Sequence, residues 1–160
     1  AVVAAAGGAF ESDFLHVQDQ KASGTAGGTA SSGAWRTRVL NTVVTNTITG
    51  CSLGSNQVTL VAGTYFVSGW GTVHRCNEHK TKIYDTTGTA DLLIGGTARD
   101  YESDDGEGVS LVSGTFTLSG TSAIELQHRT TATLSSTGFG IAASLSVVEL
   151  YVDLKIWKVA

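Results

Sequence analysis

The sequence predicts an all-β protein: a single antiparallel jelly-roll sandwich of about nine or ten strands. Three observations predict it. Gly accounts for 20 of the 160 residues, Pro is absent, and charged residues are only 15%, against about 25% in an average domain. Such a composition disfavours long helices, which draw on Ala, Leu, Glu and Lys, and favours β-branched strands joined by Gly-rich turns. Second, candidate strands recur at intervals of roughly 8–12 residues, with no period of 3.6 between them. Third, the C-terminal segment alternates cleanly: Val148, Leu150, Val152, Leu154 and Ile156 share one face, and Glu149, Tyr151, Asp153, Lys155 and Trp157 the other. No amphipathic helix shows period 2.

The elements follow in order. Residues 1–12, apolar as far as Phe10, are expected to form a flexible arm. Phe14–Asp19 alternates and reads as a short strand. Residues 22–34 are rich in Gly, Ser, Thr and Ala without an apolar period, so a loop or flexible crossing is expected. Trp35–Thr49 is β-branched and half polar, a strand with an irregular continuation, and Gly50–Asn56 is a turn region. Val58–Val61 and Thr64–His74 are strands, as is His79–Asp85, closed by the turn Asp85-Thr86-Thr87-Gly88. Ala90–Ile94 is expected to end at Gly95-Gly96, followed by an acidic loop over residues 99–108. Val109–Leu118 is a strand in which Gly114 predicts a bulge. Ser122–Ala132 places Ile124, Leu126 and His128 on one face, and residues 133–140 form a turn containing Phe139.

Charge and motif content exclude several functions. The net charge of −4, from 10 basic and 14 acidic residues, leaves no large basic surface for a phosphate backbone, so no nucleic-acid partner is expected. No apolar run nears the ~20 residues that span a bilayer, so no membrane insertion is expected. Cys51 and Cys76 are too few for a disulfide framework, and the sequence leaves open whether they pair. His74, Cys76 and His79 offer three soft ligands in a turn but no evident fourth, so no metal is expected there. Asp100, Glu102, Asp104, Asp105 and Glu107 lack the spacing of a calcium loop and read as a solvated acidic loop. No nucleophile-elbow or other catalytic motif is present. No cofactor and no enzymatic activity are expected.

Several segments together resemble a known family. They are Phe14-Leu15-His16-Val17, Gly27-Gly28-Thr29, Ser32 to Arg38 with Leu40-Asn41-Thr42, and Leu60 to Tyr65. Further along stand His79-Lys80, Phe116-Thr117-Leu118, Glu125 to His128, Gly138-Phe139-Gly140, and Leu154 to Lys158. The set, spread over residues 13–158, resembles a domain common in tailed-bacteriophage tail-fibre and other virion-associated proteins. The resemblance implies a jelly roll similar to complement-type and tumour-necrosis-factor-type globular heads, which assemble as trimers. It implies a non-enzymatic role at a virion surface: a trimeric fibre or spike head displaying loops to a host receptor, either a glycan or a protein. Capsid decoration through the N-terminal arm, bound to other virion proteins, is the alternative within this class. A carbohydrate-binding module is the alternative outside it.

These expectations attach to named residues. Loops at the ends of sandwiches carry binding functions, which makes Tyr101, Asp104 and Asp105 candidate receptor contacts. Trp70 joins them because its neighbours Ser68, Gly69 and Gly71 leave its ring room to be exposed. Tyr65, Tyr151 and Trp157 are the candidate aromatic side of a homotrimer interface. Val148, Leu150, Val152, Leu154 and Ile156 are the candidate core.

Overall fold

A computed structural model describes residues 13–103 and 105–160. The arm expected over residues 1–12 and the candidate contact Asp104 lie outside the described residues. Eleven strands form among them: β1 (Phe14–Lys21), β2 (Arg36–Thr37), β3 (Thr42–Asn46), β4 (Ser52–Gly54), β5 (Gln57–Leu60), β6 (Gly63–Val73), β7 (Asn77–Asp85), β8 (Ala90–Asp100), β9 (Gly108–Leu118), β10 (Ser122–Thr130) and β11 (Glu149–Lys158). They build two antiparallel sheets. One runs β3-β1-β11-β6-β9 and the other β4-β5-β10-β7-β8, with β2 beside β10. The first and last long strands pair with each other, from Phe14 opposite Trp157 to Lys21 opposite Glu149. The chain crosses between the sheets at every connection except β4–β5 and β7–β8, so each sheet mixes early and late strands.

The core lies between the two sheets. Leu15 and Val17 of β1, Val67 of β6, Val112 of β9, and Val152, Leu154 and Ile156 of β11 face Val58, Leu60, Ile83, Ile124 and Leu126 of the other sheet. Alternation places them there, because every second side chain of a strand points to the same side. A smaller cluster of Ala30, Val73 and Cys76, with Leu134 and Phe139, closes one end. Cys51 belongs to the large cluster and Cys76 to the small one, and both thiols are free. Burial pushes the Cys76 thiol up to about 11.

Three expectations need correction, each for a local reason. Gly95-Gly96 does not end β8. The ladder with β7 skips there, from Lys80 opposite Thr97 to Lys82 opposite Ile94, so the glycines form the bulge and the strand continues to Asp100. A Cβ on Gly95 would stand 2.4 Å from Thr81 Oγ1 and 2.8 Å from the Leu111 carbonyl oxygen. Gly114, where a bulge is expected, has none: β6 and β9 stay in register from Gly63 opposite Leu118 to Val73 opposite Gly108. Its missing Cβ instead makes room for Leu93, whose Cδ2 would be 2.7 Å away.

Val148 is not core but 57% exposed, and Leu150 is only half-buried. The strand begins at Glu149, whose carboxylate accepts the backbone N–H groups of Gly24, Ala143 and Ser144. That tie holds Val148 in the preceding loop. Residues 22–34 form the expected loop, with one isolated bridge at Ala30. They lie against residues 134–140 through Gly27 N–H to Gly140 O, Gly28 N–H to Ser136 O and the Ala30–Leu134 bridge. Close approach explains the composition, since a Cβ on Gly27 would meet Phe139 O at 2.4 Å.

Candidate functional site

The outward face of the five-stranded sheet carries four half-buried aromatic residues, Phe14, Phe66, Trp70 and Trp157, and register assembles them. One row across β1, β11, β6 and β9 is Phe14, Trp157, Phe66 and Thr115. The Phe14 and Trp157 rings stack with centroids 4.9 Å apart, and Phe66 meets Trp157 at 5.6 Å. The next row is His16, Lys155, Ser68 and Ser113, and the third is Gln18, Asp153, Trp70 and Leu111.

Between the aromatic groups sits one buried charge. Asp153 receives His16 Nε2 at 2.5 Å, Gln18 Nε2 at 2.6 Å and Lys155 Nζ at 2.5 Å. Its burial would raise its pKa, but these hydrogen bonds outweigh that and hold it below the usual carboxylate value. A carboxylate paired this fully suits a face from which water is excluded. The edge where β8 passes β9 adds an aliphatic area, with Leu111 64% exposed and Ile94 56% exposed.

The candidate interface residues separate on this geometry. Trp157 lies on the outward face, half-buried. Tyr65 points the other way, wholly inside the core, with its hydroxyl donating to Val61 O at 2.8 Å. Tyr151 is outward by alternation but is covered by its own chain. Its hydroxyl donates to Thr25 O at 2.9 Å, and its ring lies where a Cβ on Gly140 would touch it at 2.5 Å. Neither tyrosine is available to a neighbouring molecule, which corrects that assignment.

The candidate receptor contacts do not converge. Trp70 is half-buried in the middle of β6, between Asp153 and Leu111. Tyr101 is half-exposed on the connection after β8, under the Arg99 guanidinium at 4.9 Å from the ring centroid and bonded to Arg99 Nη1 through its hydroxyl at 2.7 Å. Asp105, fully exposed there, stands 3.7 Å from Arg75 Nη1. The acidic loop is tied to its own chain: Asp100 accepts the Arg75 N–H, and Glu107 accepts the Ile141 N–H. Among the described residues, no group of three or more His, Cys, Asp or Glu stands close enough to hold a metal. His74 bonds Gly106 O, and His79 faces inward, so the turn does not gather its imidazoles.

Sequence reasoning missed a polar chain between the sheets. Arg38, 1% exposed, donates from Nη1 to Thr72 O at 2.7 Å and to His128 Nδ1 at 2.9 Å, and from Nη2 to Tyr151 O at 3.1 Å. Phe139 stacks on its guanidinium at 4.0 Å. Arginine only donates, so His128 carries its proton on Nε2 and gives that hydrogen bond to His79 Nδ1, 2.9 Å away. The proton of His79 then sits on Nε2, which has no partner. Burial pushes His79 down to about 4, with Arg38 adding repulsion, and lowers His128 well below its ordinary value for the same reasons. Arg38 itself is lowered to about 10 by burial, against the pull of Asp19 and Glu107. The placement of His128 with Ile124 and Leu126 was legible in the alternation, but its arginine partner was not.

Comparison with known proteins places the fold. No protein-family model and no curated protein sequence matches the chain. Solved structures do. The globular domain of zebrafish complement 1qA protein superimposes with a TM-score of 0.55 at 12% identity, over 92% of this chain and 98% of that one. Murine APRIL at pH 8.0 gives 0.53 at 12% identity, over 90% and 97%. The chain therefore has the jelly-roll fold of complement-type and tumour-necrosis-factor-type heads.

Proposed function

We propose that this chain is a non-enzymatic binding head that works as a homotrimer. The observation that carries the reading is the outward face of the five-stranded sheet. Phe14, Phe66, Trp70 and Trp157 share it, each only half-buried within one chain. Apolar surface of this kind is stabilised when it is removed from water. Leu111, opposite Trp70 in the third row, continues this face to the sheet edge, where it and Ile94 add an aliphatic area beside the aromatic one. Two unlike areas that meet head to tail close into a ring when the rotation permits, and three copies are the smallest such ring. Trimeric assembly in complement-type and tumour-necrosis-factor-type heads supports the same count.

The setting we propose is a virion surface, as a fibre or spike head contacting a host. Its support is the resemblance of the segments from Phe14 to Lys158 to virion-associated domains. Three copies then multiply weak contacts by avidity, which can gain about 10²–10⁴ over one site. Light scattering on the purified protein is expected to give three times the chain mass at micromolar concentration, and a monomer overturns the assembly. Labelled antibody is expected to decorate intact particles of the source virus and to block adsorption; unimpaired adsorption by saturated particles overturns the receptor role.

A further inference from the structure

The outward face of the six-stranded sheet holds a hollow of about 220 Å³. Across β10, β7 and β8 the register sets Arg129, Lys80 and Thr97 in one row. Trp35, just ahead of β2, forms the wall, and Glu78 and Thr131 close one end. Lys82 Nζ lies 4.5 Å from the centre of the Trp35 ring, which holds the indole against the sheet.

Charge around the hollow is unevenly spent. Lys82 pairs with Asp91 at 2.5 Å, and Arg99 pairs with Glu78. The second Glu78 oxygen accepts Thr131 Oγ1 at 2.7 Å. Lys80 and Arg129 have no carboxylate partner among the described residues. Two cations therefore stand unneutralised beside an aromatic wall, on a protein whose net charge is negative.

We propose that this hollow binds a saccharide unit bearing a carboxylate. The indole wall and the aliphatic stems of Lys80 and Arg129 offer an apolar floor and side to the C–H face of a pyranose ring. The carboxylate sits between the two cations, where charge-assisted hydrogen bonds form and arginine can engage both oxygens. The Thr97 hydroxyl is left for a ring hydroxyl. A neutral sugar would use only the floor and a bare anion only the cations, so the site selects a ligand that has both. The reading of the chain as a binding head gives this site its setting, but each chain carries a whole site, so binding does not depend on assembly.

The test is a titration of the full chain with D-glucuronate, D-galacturonate and N-acetylneuraminate, with glucose and inorganic sulfate as controls. The readout is the indole N–H resonance of Trp35, one of three tryptophans, assigned by its loss in Trp35→Phe. At least one acidic sugar is expected to shift it saturably in the millimolar range. Glucose and sulfate are expected to bind at least about tenfold more weakly. Lys80→Gln with Arg129→Gln is expected to weaken the acidic sugar by a similar factor while the melting temperature stays put. No saturable shift with any of the three acids overturns the proposal. So does a response that sulfate reproduces, or one that survives the double substitution. Light scattering on the same samples reads assembly separately, so a monomer that still binds sinks only the trimer.

Discussion

The two outward faces of this sandwich are built from the same strand geometry and have opposite chemistry. On the five-stranded sheet, Phe14, Phe66, Trp70 and Trp157 cluster, and the deeply set Asp153 among them is fully paired. On the six-stranded sheet, Lys80, Lys82, Arg99 and Arg129 stand outward, two of them without carboxylates. The first face loses little by leaving water; the second would lose much, because unpaired cations are costly to desolvate. The first face thus suits the covering by sister copies proposed above, and the second suits water.

The sharpest way to break the contrast is to put a charge on each face in turn. If the proposed trimer buries the first face, Trp157→Glu is expected to yield monomers, because three uncompensated carboxylates would be buried, whereas Arg129→Glu is expected to leave the mass unchanged. Light scattering reads both. Equal behaviour of the two variants would erase the distinction between the faces.

Acid sharpens the comparison from inside. His79 and His128 lie on the inner side of the six-stranded sheet, on β7 and β10. The folded protein keeps them neutral, while the unfolded chain protonates them near pH 6.5. The unfolded state binds more protons below that pH, so stability falls as pH drops from about 6.5 towards 4. For His79 alone, the shift from 6.5 to about 4 amounts to about 3 kcal/mol. Calorimetric melting is expected to decline over that window, with hydrogen exchange rising first in β7 and β10. A flat profile, or earlier loosening of β1 and β11, would contradict this.

Smaller effects come from the seam where the sheets converge and from the loop ahead of β11. Gly114→Ala drives a methyl group into Leu93 and is expected to cost about 1–3 kcal/mol in denaturant unfolding. Adding Leu93→Ala should recover part of the loss; no coupling between the two would mean that the contact is idle. Val148→Ser, at the exposed position before β11, is expected to change stability by less than about 0.5 kcal/mol. A larger cost would restore Val148 to the core.

Much of the fold was legible because strand alternation is a local property. Leu15 with Val17, and Val152 with Leu154 and Ile156, could be assigned to one side from spacing alone, and Trp157 to the other. The turn at Asp85 was equally plain, and its carboxylate does accept the N–H groups of Thr87 and Gly88 at 2.9 Å. The failures share a cause. Tyr65 and Tyr151 were sorted by residue type, but one faces the core and the other lies under a loop that starts more than a hundred residues earlier in the chain. Spacing predicts a strand end at Gly95 and a bulge at Gly114, although their use is to admit Thr81 and Leu93 from other strands.

The sequence by itself determined the class of fold and the two-sidedness of each long strand, because both follow from backbone period and turn chemistry. Only the tertiary structure decided which strands became neighbours. That choice set Trp157 between Phe14 and Phe66, threaded Arg38 between the sheets to His128, and left Lys80 and Arg129 side by side without a counter-charge. Such contacts join residues far apart in the chain, and nothing in local spacing encodes a partner that folding brings from elsewhere.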